Sequence, residues 1–478
     1  MHFDHSYAKN LTALVTPMTV SPLSEPQLQL YNQPLAEQLE LDPSFSEQSH
    51  LFTQLFSSQG ALNQHAVAQK YGGHQFGGWN PELGDGRGLL LAEVVTHAGQ
   101  RWDLHLKGAG KTPYSRFGDG RAVLRSTIRE YLASEALHHL GIPTSRALCL
   151  VSSSEPVYRE KQETGAMLIR ACQSHLRFGH FEYFYHSKQL DKLDALFEYA
   201  LQYHFSACRE HANPHQEMLR QVVLSTADMI AKWQSFGFCH GVMNSDNMSI
   251  HGITFDFGPY AFLDNFDSQY ICNHSDHGGR YAYDQQPGVA LWNLNALAHS
   301  FTPYLSIDEI KHVLAEYEPR LLDQYASLMR LKLGLHQPQE DDLELVNGWL
   351  SMLEQDKRDF SQSFRLLCNQ AISENQFVDH FIDRQRAKDW FVQYRSRLAI
   401  ETLSAESRQL QMQQVNPKYI LRNYLAQIAI DRAEEGDFSE CEQLLKVLAN
   451  PFDEQNNFQS YAATPPSWGQ DMEISCSS

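Results

Sequence analysis

The sequence has 478 residues, of which 42% are hydrophobic and 20% charged, and its formal net charge is −19 at pH 7. This length allows a large two-lobed domain or two to three domains, because one core rarely exceeds about 300 residues. The negative charge disfavours nucleic acid as a partner, and no apolar run is long enough to predict a membrane-spanning helix.

The N-terminal sequence and the cysteines predict a soluble cytoplasmic protein. Residues 1–20 lack both the basic, apolar pattern of a secretory signal and the Arg-rich pattern of a transit peptide. The eight cysteines contain no close pair and are too sparse for a disulfide framework, which fits a reducing compartment. We expect a monomer that binds neither membranes nor nucleic acid.

The N-terminal part predicts a loop-rich segment followed by strands. Residues 1–70 carry prolines scattered among short apolar groups, which favours an extension wrapped on the core. Glycine-rich sequence follows, and then a β-hairpin with strands at 89–95 and 101–107. A further strand is predicted at 165–172.

A helix is predicted over 121–140, and the chain is mostly helical after the strand at 165–172. Asp119 and Gly120 stand at the predicted start of the first helix, where free N–H groups favour anions. Asp119 could instead serve only as the N-cap, while Gly120 leaves backbone open to a phosphate.

The later helices have clear limits in the sequence. An apolar face marks a helix over 215–235. Two capping boxes, Ser306 with Glu309 and Asp437 with Glu440, predict the starts of two further helices.

The first part of the chain predicts strands and one helix, and the second part predicts helices. This order predicts an α+β, bilobal protein-kinase-like fold. We expect an N-terminal extension (1–70), a strand-rich N-lobe (71–173), a helical C-lobe with the catalytic and metal loops (174–450), and a C-terminal tail with Cys476 (451–478).

The turn "LGDGRG" contains Gly84, Gly86 and Arg87, and its glycines let backbone N–H groups approach an anion. A plain hairpin turn is the alternative. Lys107 ends the second strand after this turn, twenty-one residues beyond Gly86, a separation typical of the phosphate-binding lysine of kinases.

A kinase lysine is held by a glutamate on the following helix. Glu130 is the candidate partner of Lys107, and Glu135 is the fallback because it lies nearer the apolar face. A helix glutamate is more often only a solvated surface group.

The stretch "HGVMNSDNMSIHGITFDFG" (240–258) carries the most chemical information. Asn247 and Asp256 have the kinase spacing for metal ligands, with a predicted hairpin between them, and hard oxygen ligands favour Mg²⁺ or Mn²⁺. Val242 stands where kinases keep the catalytic base. Asp246 is the nearest carboxylate that could accept a proton, and it could equally cap the turn or support the metal.

Arg170 and Arg177 follow where the kinase layout would place adenine. Guanidinium groups suit phosphate oxygens better than a purine, so these two residues suggest a nucleotide bound in the reverse direction.

These blocks together resemble the selenoprotein O family, pseudokinases that act as protein adenylyltransferases. The resemblance extends through "KYGGHQFGGWNPELGDGRG", "LKGAGKTPYSRFGDGRAVLRSTIREYLASEAL", "SHLRFGHFEYF" and "HGVMNSDNMSI". It implies that ATP binds inverted and that AMP is transferred to Ser, Thr or Tyr hydroxyls of proteins, with release of pyrophosphate.

The resemblance also implies a role for each matching residue. Lys107, held by Glu130, would clamp a phosphate, and Asp246 would accept the proton. Asn247 and Asp256 would hold the metal. The remaining residues would bind the nucleotide: Gly84, Gly86, Arg87, Asp119, Gly120, Arg170 and Arg177.

Cys476 stands where the animal members of that family carry selenocysteine. A thiol there could pair reversibly with another cysteine, and Cys272, in a polar loop after the metal motif, is the candidate partner. A free, unused thiol is the alternative.

Two other functions remain open at the level of sequence. The loop "HGVMNSDN" is also similar to that of small-molecule phosphotransferases of kinase-like fold. Val242 would suit an inactive scaffold that only binds nucleotide, whereas the intact set of Lys107, Asn247 and Asp256 argues against one.

Overall fold

The structure is a computed structural model that describes residues 2–470, 472 and 474. Its described strands are β1 (His2–Asp4), β2 (Val15–Pro17), β3 (Gln27–Tyr31), β4 (Val67–Gln75), β5 (Gly78–Gly84), β6 (Gly88–Val95), β7 (Arg101–Lys107), β8 (Ala122–Val123), β9 (Arg146–Tyr158), β10 (Gln162–Cys172), β11 (Phe238–Cys239) and β12 (Ala261–Phe262).

The described helices divide into those before and those after β10. The first group is α1 (Ser6–Asn10), α2 (Gln33–Gln38), α3 (Gln48–Phe56) and α4 (Leu124–His139). The second group is α5 (Phe178–His186), α6 (Leu190–Tyr203), α7 (Pro214–Phe236), α8 (Gln286–Ala298), α9 (Ile307–Leu314), α10 (Tyr317–Lys332), α11 (Asp342–Gln355), α12 (Phe360–Leu367), α13 (Glu374–Val378), α14 (Arg384–Leu398), α15 (Ala405–Val415), α16 (Asn423–Glu434) and α17 (Ser439–Leu448). The fold is therefore mixed α/β, with one large sheet and many helices.

The large sheet is antiparallel and has the strand order β2-β4-β6-β7-β10-β9-β3, with β1 on β6, β5 on β4 and β8 on β10. The predicted hairpin is confirmed as β6 and β7, which pair from Gly88 with Lys107 to Val95 with Arg101. The strand predicted at 165–172 forms the last eight of the eleven residues of β10, whose long partner β9 was not predicted.

The first 70 residues differ from the predicted loop-rich extension. They supply three short strands to the sheet, and α2 and α3 bury leucines against one of its faces. Along β10 the side chains alternate between the two faces. Met167 and Ile169 pack toward α2 and α3, whereas Leu168 packs toward α4 on the other side.

Three local predictions need correction. Helix α4 begins at Leu124 rather than 121, because Ala122 and Val123 first pair with β10. The predicted hairpin at 248–255 does not form; Ser249 bridges to Arg177 and Thr254 to Thr144 instead. The box at Ser306 is confirmed, but α17 is capped without one.

Helix α7 confirms the prediction at 215–235 and ends at Gly237, whose φ of +68° suits a glycine C-cap. The later helices α10 to α15 bury a separate apolar cluster around Trp349. Across residues 2–470, no helix combines the length and apolar character needed to cross a membrane.

Candidate active site

A cavity of about 670 Å³ opens between the sheet and the loops that follow β11. Its walls contain most of the residues that the sequence singled out: Gly84, Gly86, Arg87, Lys107, Asp119, Gly120, Arg170, Arg177, Asp246, Asn247 and Asp256. Glu130 lies behind the wall and is buried. The fold thus brings together residues separated by up to 172 positions in the chain.

Lys107 and Glu130 form a buried ion pair, as the spacing predicted. Lys107 ends β7, and its Nζ contacts Glu130 Oε2 on α4. Burial lowers the pKa of Lys107, and the adjacent Glu130 carboxylate opposes that shift. Glu135, the alternative partner for Lys107, instead forms an ion pair with Arg146, whose Nε lies 2.8 Å from Glu135 Oε1.

Asp256 lies between two arginines at the floor of the cavity. Arg170 donates to its Oδ1 at 2.5 Å, and Arg177 contacts its Oδ2. Burial would raise the pKa of this carboxyl, but Arg177 and Arg170 hold it well below its usual range. Asp256 also has φ of +57°, a left-handed conformation that side chains other than glycine seldom adopt.

Two residues that the sequence did not single out orient Arg170. Its guanidinium donates to His105 Nδ1 at 3.0 Å, and His105 Nε2 lies 3.3 Å from Asp85 Oδ1. Burial lowers the pKa of His105, and the adjacent Asp85 carboxylate opposes that shift. The signal was hidden because alternation along β7 made His105 look like an ordinary strand residue.

Asp246 and Asn247 lie on a short 3₁₀ turn, Ser245–Asn247, and line the same cavity as Lys107. Asp246 is buried; its Oδ1 has no hydrogen-bond partner among the described residues, and Oδ2 receives only a 3.4 Å contact from Gln75. Burial raises the pKa of this carboxyl to about 7, with Arg177 opposing the shift. A carboxyl group with a pKa near 7 can accept and release a proton at neutral pH.

The oxygen donors of this site fit a hard divalent cation. Asn247 uses its amide nitrogen to donate to the Val242 carbonyl at 3.0 Å, so its amide oxygen is not consumed by that bond. Asp256 offers a carboxylate that remains ionised, and both residues line the cavity. Amide and carboxylate oxygens on neighbouring loops are the donors that Mg²⁺ and Mn²⁺ accept.

Contrary to the prediction from its sequence, the glycine turn does not leave all of its backbone N–H groups free for an anion. The N–H of Asp85 donates to Gln69 O at 2.9 Å and that of Gly86 to Gly84 O at 2.7 Å, so these two amides are already used. The turn nevertheless brings the Arg87 side chain to the cavity wall.

Asp119 is not the N-cap of α4, because that helix begins after Val123. Its carboxylate instead accepts two hydrogen bonds from Arg159, at 2.7 and 2.9 Å. Gly120 has φ of +76°, and a Cβ there would lie 2.1 Å from the Gly110 carbonyl carbon. Only glycine fits at this close approach of two loops.

Cys272 lies in the predicted polar loop, but its side chain is buried. It is buried 3.4 Å from Cys239 Sγ, and it donates to Pro259 O at 3.0 Å. Cys476 lies outside the described residues, so its pairing with Cys272 stays a prediction. The described end of the tail does pass nearby, since His274 N donates to Ile474 O at 2.9 Å.

Removing the Glu130 carboxylate should destabilise the fold strongly. Glu130→Ala leaves Lys107 without its buried partner and Arg170 with one fewer, for which we expect a loss of about 3–5 kcal/mol in the free energy of unfolding. Urea denaturation measures it. Asp379→Ala is the control, because its ion pair with Arg384 is exposed and should contribute less than about 1 kcal/mol. Equal losses in the two variants would contradict the buried pair.

Comparison with known proteins gives concordant matches along the chain. The family model described as "Protein adenylyltransferase SelO" matches residues 1–449. A protein from Pseudoalteromonas atlantica called "Protein nucleotidyltransferase YdiU" is 58% identical over 483 residues, covering 100% of both chains. Proteins of the same name from Pseudomonas putida GB-1 and Pseudomonas fluorescens SBW25 are 51% and 50% identical, each covering 100% of this chain and 99% and 98% of their own.

Proposed function

The chain belongs to the SelO family of protein adenylyltransferases, and on that basis we propose that it transfers AMP from ATP to Ser, Thr or Tyr hydroxyls of other proteins and releases pyrophosphate. The observation that carries this proposal is the grouping of Lys107, Arg170 and Arg177 in one cavity with a buried carboxylate, Asp246. Cations at such a density suit a triphosphate, and a group of pKa about 7 suits a proton acceptor.

Binding of the phosphates follows from the basic groups. Lys107 is held by Glu130 and clamps one phosphate, while the buried Arg170 and Arg177 bind the β- and γ-phosphates. Arg170 is buried and compensated by carboxylates, an environment unsuited to an adenine ring. This supports a nucleotide inverted relative to kinases, with the α-phosphate toward the acceptor hydroxyl. Gly84, Gly86, Arg87, Asp119 and Gly120 line the rest of the nucleotide pocket.

Asn247 and Asp256 would hold the Mg²⁺ or Mn²⁺ ion, which when bound supplies positive charge to the phosphate oxygens. Both arginines form ion pairs with Asp256. Phosphate oxygens compete for the same guanidinium groups, so nucleotide binding would release the Asp256 carboxylate. This exchange would couple the binding of ATP to the binding of the metal.

Asp246 would accept the proton of the attacking hydroxyl. Asp246 lines the cavity, and its Oδ1 has no hydrogen-bond partner among the described residues, so this carboxylate is not committed to another protein group. Val242 lines the cavity at the position of the usual kinase base and offers no such group. In-line attack on the α-phosphorus then breaks its bond to the bridging oxygen of pyrophosphate, while lysine and arginines stabilise the developing negative charge.

We also propose the kinase-like, two-lobed arrangement, with lobes at 71–173 and 174–450. Two features support it: the strands of the large sheet precede residue 173, and the cavity lies between that sheet and loops from the helical part. The same proposal includes a monomer and a cytoplasmic location, and the seven described cysteines, all of them free, support the location.

Labelled ATP tests the activity. The protein is incubated with Mn²⁺, candidate acceptor proteins and ATP labelled at either the α- or the γ-phosphate. We expect protein-bound label from α-labelled ATP alone. Label from the γ-position alone would establish a phosphotransferase instead, and nucleotide binding without any transfer would establish an inactive scaffold.

The pH profile tests the proton acceptor. Because Asp246 must be ionised to accept a proton and its pKa is raised to about 7, kcat/KM should fall about tenfold per pH unit below that value and level off above it. Asp256 stays ionised throughout, since its pKa is held well below the usual range. A flat profile across neutral and mildly acidic pH would contradict the assignment of Asp246.

A further inference from the structure

A cluster of His74, Glu182 and His186 lies beside the candidate active site and plays no part in the proposed reaction. Glu182 and His186 are one turn apart on α5, and His74 belongs to β4, which packs on that helix. One ligand atom of each residue lies within 4.8 Å of those of the other two. Two separate elements therefore bring three metal-binding side chains to one point.

The Glu182 carboxylate provides an independent indication of a cation site. This side chain is fully buried, and its only described ion-pair partner is His74, whose Nδ1 lies 2.5 Å from Oε2. Its other oxygen, Oε1, has no hydrogen-bond partner among the described residues. A buried carboxylate oxygen left unpaired is costly, and a bound cation would offset that cost.

We propose that His74, Glu182 and His186 bind a divalent transition-metal ion of the Zn²⁺ class, at a site separate from the nucleotide metal. Two imidazoles and one carboxylate form a ligand set that suits Zn²⁺, and three protein ligands leave a fourth position for water. His186 is exposed, which gives the ion a path from solvent.

The three side chains would have to move by about 1–1.5 Å to share the ion. Two ligands about 2.0 Å from a tetrahedral ion lie about 3.3 Å apart. His74 and Glu182 are closer than that in the direct hydrogen bond, so their side chains would separate by about 1 Å to share the ion. Trp79 and Trp292 lie against the His74 ring at centroid distances of 5.1 and 5.2 Å and limit its movement.

The ion would join the two elements that support the Asp246 turn. The backbone N–H of His74 donates to Ser245 Oγ at 2.7 Å, directly beside Asp246. A Cβ on the adjacent Gly73 would lie 2.8 Å from Asp246 Cβ, and one on Gly179 of α5 would lie 2.1 Å from Gly72 O. Because these contacts are so close, fixing β4 to α5 also fixes the position of the Asp246 turn.

Cobalt titration of the full chain, stripped of metal and carrying no histidine tag, tests this site. Co²⁺ in a tetrahedral site of nitrogen and oxygen ligands gives visible absorption bands, and Zn²⁺ should displace it with one equivalent. We expect one such site in the unmodified protein and at least a ~100-fold weaker site in His186→Ala. His186 is exposed, so this variant should fold; Glu182→Gln provides a second, shape-conserving variant.

Two control variants make the result specific. His97→Ala removes an exposed histidine whose Nδ1 lies 2.5 Å from Glu40 Oε2. This pair resembles His74 and Glu182 but belongs to no group of three ligands among the described residues, so the variant should leave cobalt binding unchanged. Asp256→Ala should also leave it unchanged, because that residue belongs to the other metal site. The proposal is overturned if the unmodified protein shows no tetrahedral cobalt spectrum, if His186→Ala binds as tightly, or if Asp256→Ala alone removes the signal.

Discussion

Replacing Asp256 with alanine should abolish AMP transfer and metal-dependent ATP binding. The variant loses a proposed metal ligand and leaves Arg170 and Arg177 without the carboxylate that lies between them. Loss of one preorganised electrostatic group typically lowers kcat by about 10²–10³-fold, and loss of the metal adds to this, so we expect at least a ~10³-fold reduction. Transfer from α-labelled ATP and calorimetric ATP binding with and without Mn²⁺ measure the two effects.

A matched variant separates this role from simple loss of a buried ion pair. Asp264 contacts Arg422, a buried arginine that also pairs with Asp359, and it does not line the cavity. Asp264→Ala should therefore lower thermal stability while retaining transfer. If Asp256→Ala keeps metal-dependent binding and turnover, Asp256 is not a metal ligand.

Replacing Asp246 should lower turnover far more than nucleotide affinity. A positioned general base contributes about 10²–10⁴-fold to a rate, and Asp246 contacts no phosphate in the proposed arrangement. Asp246→Asn is the sharper variant, because it keeps the volume that the close approach of Gly73 requires. We expect kcat to fall within that range while the dissociation constant for ATP changes less than about threefold.

The comparison of kcat with ATP affinity decides the role of Asp246. A base acts only on the chemical step, whereas a residue that positions the metal would also weaken nucleotide binding. Equal losses in kcat and affinity would therefore assign Asp246 to metal or turn support. The pH profile of kcat/KM for Asp246→Asn provides a second test, because this profile should lack the inflection near pH 7.

Local sequence predicted the parts of the site that depend on local structure. Residues close together in the sequence determine the alternating pattern of β6 and β7 and the apolar face of α7. Both features are present in the structure. The spacing of Lys107 and Glu130 also sufficed, because one strand end and one helix face set their distance. These features need no knowledge of how distant segments pair.

Long-range contacts explain what local sequence could not predict. The strands β1, β2 and β3 have only three to five residues each and gain stability from partners far along the chain, so no local pattern marked them. Asp85 and His105 reach Arg170 only after β7 has paired with β10 and the turn between β5 and β6 lies beside them. At 248–255, bridges to Thr144 and Arg177 replace the expected local hairpin.

The orientation of the nucleotide is the central claim, and a crystal structure with Mn²⁺ and a non-hydrolysable ATP analogue tests it most directly. The account predicts that the β- and γ-phosphates contact Arg170 and Arg177 and that the α-phosphate is the one facing Asp246. Adenine packed against the end of β10, with the γ-phosphate directed toward Asp246, would contradict it.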